Sequence, residues 1–164
     1  MPRSPARVAP GSAEDIAAIV QGLRRVVKAL AVYSQEVHRN FGLTGPQLWA
    51  IKTLQRLGPL SAGELAGELV VHQSSVSVLV DRLEERNLVR RARGKPDRRF
   101  VRIELTGRGR ELAANAPEPA QGRLLYAMKA MTAPEVRNIR RSVDRLVDAM
   151  EATDIKAPFF FSDA

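Results

Sequence analysis

The stretch Arg91–Thr106, RARGKPDRRFVRIELT, decides the fold. Six of its sixteen residues are Arg or Lys, and Gly94, Pro96 and Asp97 sit in their midst. From Phe100 the pattern becomes a strict alternation. Val101, Ile103 and Leu105 fall on one side, Arg102 and Glu104 on the other, the period of a strand with one buried face. Gly94-Lys95-Pro96-Asp97 has the chemistry of a turn. The reading is a hairpin that pairs Leu88–Arg93 with Phe100–Leu105 and carries arginine at its tip.

Upstream of the hairpin the period changes from two to 3.6. Gln73–Arg86 carries Val76, Leu79, Val80 and Leu83 at i, i+3, i+4 and i+7, which predicts a helix. Asn87 follows, a residue that tolerates the left-handed conformation needed where a helix turns into a strand. A short helix is expected over Ala62–Leu69 and another over Gly45–Leu57, stopped by Gly58-Pro59. The first helix spans about Glu14–Asn40, with Gly42 suited to a left-handed cap. Downstream, the helical pattern runs from Thr106 to about Ala130, with Pro117 and Pro119 interrupting it. A last helix is expected over about Pro134–Ala152. Four Ser/Thr-x-x-acid/amide boxes mark helix starts: Ser12–Asp15, Thr44–Gln47, Ser61–Glu64 and Thr132–Glu135.

A short helix, a second helix and a two-stranded ribbon make a winged helix-turn-helix. The charge is concentrated there. From Arg82 to Arg102 there are nine basic and three acidic residues, a net +6, against +8 for the whole 164-residue chain. Such a unit offers a helix to the major groove of double-stranded DNA and a hairpin to the backbone or minor groove. Gln73, Ser74, Ser75 and Ser77 are small hydrogen-bonding residues near the start of the fourth helix, suited to base edges or phosphate. N-capping is an equal alternative for Ser74 and Ser75.

Composition removes other classes. There is no Cys, hence no disulfide, thiolate metal site or cysteine nucleophile. Two His, His38 and His72, are too few for a metal centre, and no Gly-rich phosphate loop or converging acids suggest an enzyme. No cofactor is expected. No apolar run is long enough to span a bilayer and the N-terminus lacks an apolar signal core, so a cytoplasmic protein with no membrane partner is expected. Residues 1–13 read as a disordered basic arm, 14–42 as a dimerisation helix, 43–106 as the DNA-binding lobe, and 107–164 as C-terminal dimerisation helices with an aromatic tail.

With these elements in place, the chain resembles the MarR family of winged helix-turn-helix transcriptional regulators over residues 14–152. Asp97-Arg98-Arg99-Phe-Val-Arg-Ile-Glu-Leu105-Thr106 is similar to the family's wing signature, D-x-R-x-x-x-x-x-L-T. Leu43-Thr44-Gly-Pro-Gln47 resembles its second-helix opening, and Ser75-Val-Ser77-Val-Leu-Val-Asp81-Arg82-Leu83-Glu84 its recognition helix. The resemblance implies that Arg99 reaches into the minor groove and that Asp97 braces the wing through an ion pair. Arg93, Lys95, Arg98 and Arg82 join them as DNA contacts. Two positions depart from the pattern. Val78 stands where many relatives carry a basic residue, which suggests contact with a thymine methyl. Asn87 replaces the usual Gly.

The first and last helices carry more apolar surface than one small winged helix covers, so a homodimer is expected, reading a pseudo-palindrome. Phe159, Phe160 and Phe161 are expected to dock on the partner or a neighbouring groove. The resemblance further implies a small aromatic or phenolic effector, with Arg25, Tyr33, His38, Phe41 and Trp49 as lining residues, and a repressor released by it. The competing reading is a basic architectural DNA-binding protein without an effector.

Overall fold

A computed structural model describes residues 12–93 and 101–155 of the chain. Seven helices and one antiparallel hairpin are found among them: α1 (Ala13–Phe41), α2 (Gly45–Leu57), α3 (Ala62–Leu69), α4 (Gln73–Glu85), β1 (Val89–Arg93), β2 (Val101–Leu105), α5 (Gly107–Asn115), α6 (Ala120–Lys129) and α7 (Ala133–Ala149). The chain is mainly α with a small β wing, as the sequence predicts. The helical pattern after Thr106 is interrupted as expected: α5 and α6 are separated at Ala116–Pro119, where the prolines sit.

The helix starts follow their capping chemistry. Thr44 and Ser61 form complete boxes with Gln47 and Glu64. At α7 the Thr132 N–H and hydroxyl both donate to the Glu135 carboxylate, at 2.8 and 2.6 Å. Ser12 departs from the pattern: its oxygen accepts the Asp15 N–H, while its own proton goes to the Asp15 carboxylate. Gly42 ends α1 at φ 63, in the left-handed region expected of it.

One core lies under α2, α3 and α4. Leu43, Leu48, Ile51, Leu65, Val76, Val80, Leu83 and Leu88 are fully buried. The end of α1 joins this core through Leu30, Tyr33 and Val37, whereas Ile16, Ile19, Leu23 and Val27 near its start are about half exposed. The helix is therefore divided between the lobe and an uncovered apolar stripe.

The hairpin pairs Val89 with Leu105, Arg91 with Ile103 and Arg93 with Val101. Ile103 and Leu105 are buried, but Val101 on the same face is 45 % exposed. The expected apolar face thus holds only at the base of the wing, because the strands run out past the core. A third, one-residue strand escaped the sequence reading: Leu60 exchanges both backbone hydrogen bonds with Ile103, at 3.1 and 2.7 Å. One pair of bonds leaves no alternation to detect.

The junction of α4, β1 and α5 is tightly built. Asn87 sits at φ 54, and Leu88 donates its N–H to the Leu83 carbonyl at 3.0 Å. The Thr106 hydroxyl donates to the Asn87 carbonyl at 2.7 Å and accepts the Gly109 N–H at 3.0 Å. Gly109 presses on the backbone; a Cβ there would stand 2.0 Å from the Leu88 carbonyl oxygen. Gly109→Ala is therefore expected to lower stability by roughly 3 kcal/mol, measured by urea unfolding, because backbone rather than a pliable side chain must move. A loss within experimental error would contradict this close approach.

Candidate nucleic-acid interface

The start of α4 is open chemically as well as sterically. His72 occupies the N-cap position without a side-chain cap bond, so neither Ser74 nor Ser75 caps this helix. The first N–H groups point outward with the positive end of the helix dipole, an arrangement that suits a phosphate oxygen. Val76, Leu79, Val80 and Leu83 are buried beneath it. On the opposite side Ser74, Val78 and Arg82 are exposed at i, i+4 and i+8, a single line along the helix. Gln73 is exposed beside them, and Val78 is 55 % exposed. Ser75 and Ser77 are half-buried, and the Ser77 hydroxyl donates back to the Gln73 carbonyl at 3.3 Å. Ser77 can still accept a hydrogen bond.

The arginines of the basic stretch divide into two groups. Four are engaged within the protein. Arg86 donates to the carbonyls of Phe41 and Gly42. Arg90 pairs across the hairpin with Glu104 at 2.5 Å. Arg102 donates to the Pro59 carbonyl at 3.0 Å and stands 3.5 Å from Glu64, tying β2 to the start of α3.

Arg91 is the fourth and makes the most contacts. Its guanidinium meets Glu84 on one side and Asp81 on the other, at 2.7 Å from Asp81. Its backbone N–H donates to the second oxygen of Glu84 at 2.8 Å. The planar fork of arginine suits two carboxylates at once, which an ammonium does not. This clamp holds the wing strand against the recognition helix. Two acids of the helix thereby share one cation.

Arg82 is exposed and has no acidic partner among the described residues. The side chain of Arg93, and Lys95, Asp97, Arg98 and Arg99, lie outside the described residues, as does the aromatic tail of Phe159, Phe160 and Phe161. The last described pair of the hairpin is Arg93–Val101.

A second feature lies along α1. A groove of about 560 Å3 is lined by Arg24, Arg25, Lys28, Tyr33, Glu36 and Arg123 among others. Arg25 and Tyr33 of the sequence-predicted effector residues meet here. The other three stand apart: His38 is exposed on the last turn of α1, Phe41 packs partly against the core, and Trp49 is buried against Gly122 of α6. Arg123, with its guanidinium 6.0 Å from the Tyr33 ring centre, was invisible to sequence reading because only the tertiary approach of α6 brings it there. The Tyr33 hydroxyl is buried with no hydrogen-bond partner among the described residues. Burial pushes its pKa well above the ordinary phenol range, against the pull of Arg123, so the phenol stays a neutral donor.

The model of the MarR family matches residues 41–99, the span from the end of α1 past β1 and ending before β2. The HTH-type transcriptional regulator YsmB of Bacillus subtilis is 28 % identical over 138 residues, covering 84 % of this chain and 94 % of that protein. A solved MarR family protein from Bacillus stearothermophilus superposes with a TM-score of 0.54 at 27 % identity, covering 87 % of this chain and 99 % of the other. The chain is similar to the MarR family across its winged helix and along most of its length. It is a DNA-binding transcriptional regulator with the family's winged helix. The HTH-type transcriptional repressor MdtR of Bacillus subtilis is 33 % identical over 95 residues, though only 58 % of this chain and 59 % of that protein are covered.

The Arg91 clamp generates a quantitative expectation. Arg91→Ala should weaken DNA binding by roughly 1–3 kcal/mol, since it frees the wing and uncovers two carboxylates. Stability should fall by only about 1 kcal/mol, as befits a half-exposed ion pair. Anisotropy titrations and urea unfolding would measure both; full affinity in the Ala variant would refute the clamp.

Proposed function

We propose that the protein is a homodimeric repressor that reads a pseudo-palindromic operator and is released by a small aromatic or phenolic acid. The observation that carries the reading is the exposed Ser74–Val78–Arg82 line beside an uncapped helix start, clamped by Arg91 to the hairpin. On this reading α4 enters the major groove, with Gln73, Ser74, Ser75 and Ser77 near base edges and phosphate. Val78 touches a thymine methyl, an apolar contact available only in the major groove. The wing carries Arg93, Lys95, Arg98 and Arg99 to the flanking backbone and minor groove, and Asp97 orients them.

Two exposed apolar stripes support the dimer. One is on the first half of α1; the other is Val136, Ile139, Val143 and Leu146 on α7, a helix without a buried residue. Left in water, such stripes favour association. The name of MdtR supports repression. The effector reading rests on the α1 groove, where Arg24, Arg25, Lys28 and Arg123 offer positive charge around an unpartnered phenol. An anionic ring fits that combination. No helix among the described residues is long and apolar enough to cross a membrane. The architectural alternative differs in one respect: it predicts equal binding to any duplex.

Fluorescence anisotropy against a duplex selected from a random library, and against its scrambled version, tests the reading at two salt concentrations. Selective binding is expected, with Arg99→Ala costing roughly 1–3 kcal/mol on the selected duplex. Equal, steeply salt-dependent binding to both duplexes would mean counterion release alone and favour the architectural reading. The dimer has its own test. Leu146→Glu places a charge in the α7 stripe and should give monomers by light scattering; an intact dimer would show that α7 is not in the interface.

A further inference from the structure

One guanidinium joins the recognition helix to the helix that carries the uncovered apolar stripe. Arg86 stands at the C-cap of α4. Its Nη1 donates to the Gly42 carbonyl, and its Nη2 donates to the Phe41 carbonyl at 3.2 Å. Both acceptors lie at the end of α1, where carbonyls lack intrahelical partners and the dipole is negative. The approach is close: a Cβ on Gly42 would be 3.2 Å from Nη2 of Arg86. Elsewhere α1 packs on α2 and α6, whereas α4 packs on α2, α3 and β1. The fork is thus a direct tie between two helices whose main packing partners are other elements.

Arg86 belongs to the basic stretch, and by charge alone it would be counted as a phosphate contact. The geometry points to another role. We infer that Arg86 sets the separation of the two recognition helices in the dimer, and so the operator half-site spacing that the protein accepts. The inference rests on the homodimeric reading above. In a two-fold dimer the interface fixes α1, and the tie from α1 to α4 fixes each recognition helix relative to the dyad. Half-sites lie about one helical turn apart, and one inserted base pair rotates one half-site by roughly a tenth of a turn relative to the other. A rigid tie resists that displacement. Without it α4 is held only by the lobe, and each half-site is read with less regard to the other. Arg86 is a positioning residue on this account and touches no base.

The test uses the full-length protein and three duplexes: one selected by the wild type from a random library, and the same duplex with its centre lengthened or shortened by one base pair. Affinities of wild type, Arg86→Ala and Arg86→Lys are measured by anisotropy at two salt concentrations, with light scattering for oligomeric state. The wild type should prefer the selected spacing. In Arg86→Ala that preference should narrow by roughly fivefold or more, the low end of coupling between sites, with the dimer and the salt dependence unchanged. Arg86→Lys keeps the charge but not the fork, so it should narrow the preference too; it decides the matter if the Ala variant does not fold. An unchanged preference in the variants overturns the inference. So does a uniform loss on all three duplexes with a shallower salt dependence, the signature of a phosphate contact. A wild type that binds all three duplexes equally, or binds as a monomer, overturns the dimeric reading and this inference with it.

Discussion

A run of like charges must be held still before it can recognise anything. Nine basic residues within twenty-one positions repel one another, and a protein that simply exposed them would have a mobile, unspecific surface. This chain meets the constraint by placing acids and helix ends against selected arginines. Glu84 and Asp81 hold Arg91, Glu104 holds Arg90, Glu64 and the Pro59 carbonyl hold Arg102, and the end of α1 holds Arg86. These four are struts. They leave Arg82 exposed on the helix face. Counting charge in the sequence therefore overstates the surface free to meet DNA, since four of the eight arginines in this stretch act on the protein itself.

The same contacts explain why the helix and the wing act as one reader. Arg91 joins β1 to α4, and Arg102 joins β2 to the start of α3. The Thr106 hydroxyl reaches back to the Asn87 carbonyl where the helix becomes a strand. Gly109 lets α5 close on this junction without a side chain between. Each link is modest in free energy, about 1 kcal/mol for a partly exposed pair. Their effect lies in geometry, because a recognition helix and a hairpin that moved separately would lose orientation on binding and weaken the complex.

Much of this was legible in the sequence because local rules and the fold agree. The starts of α2 and α3 followed from their capping boxes, the end of α2 from Gly58-Pro59, and the left-handed residues Gly42 and Asn87 from their chemistry. The two-fold alternation gave the hairpin its register face. Long-range features were not legible. The Leu60–Ile103 pair is one residue long, the exposure of Val101 depends on where the core ends, and Arg123 reaches Tyr33 only through the packing of α6. The contacts of Arg86 with α1 span more than forty residues, so no periodicity could announce them. The candidate site was legible in composition but not in division of labour: residue type marks a basic surface, and only partners tell a strut from a reader.

The central claim is that a clamped helix and wing are presented twice to one duplex. Hydroxyl-radical footprinting on a duplex selected by the wild type tests it most directly. The account predicts two protected patches related by a dyad and about one helical turn apart, each flanked by minor-groove protection that disappears in Arg99→Ala while the major-groove patch remains. A single continuous protection, or loss of both features together when Arg99 is replaced, would contradict it.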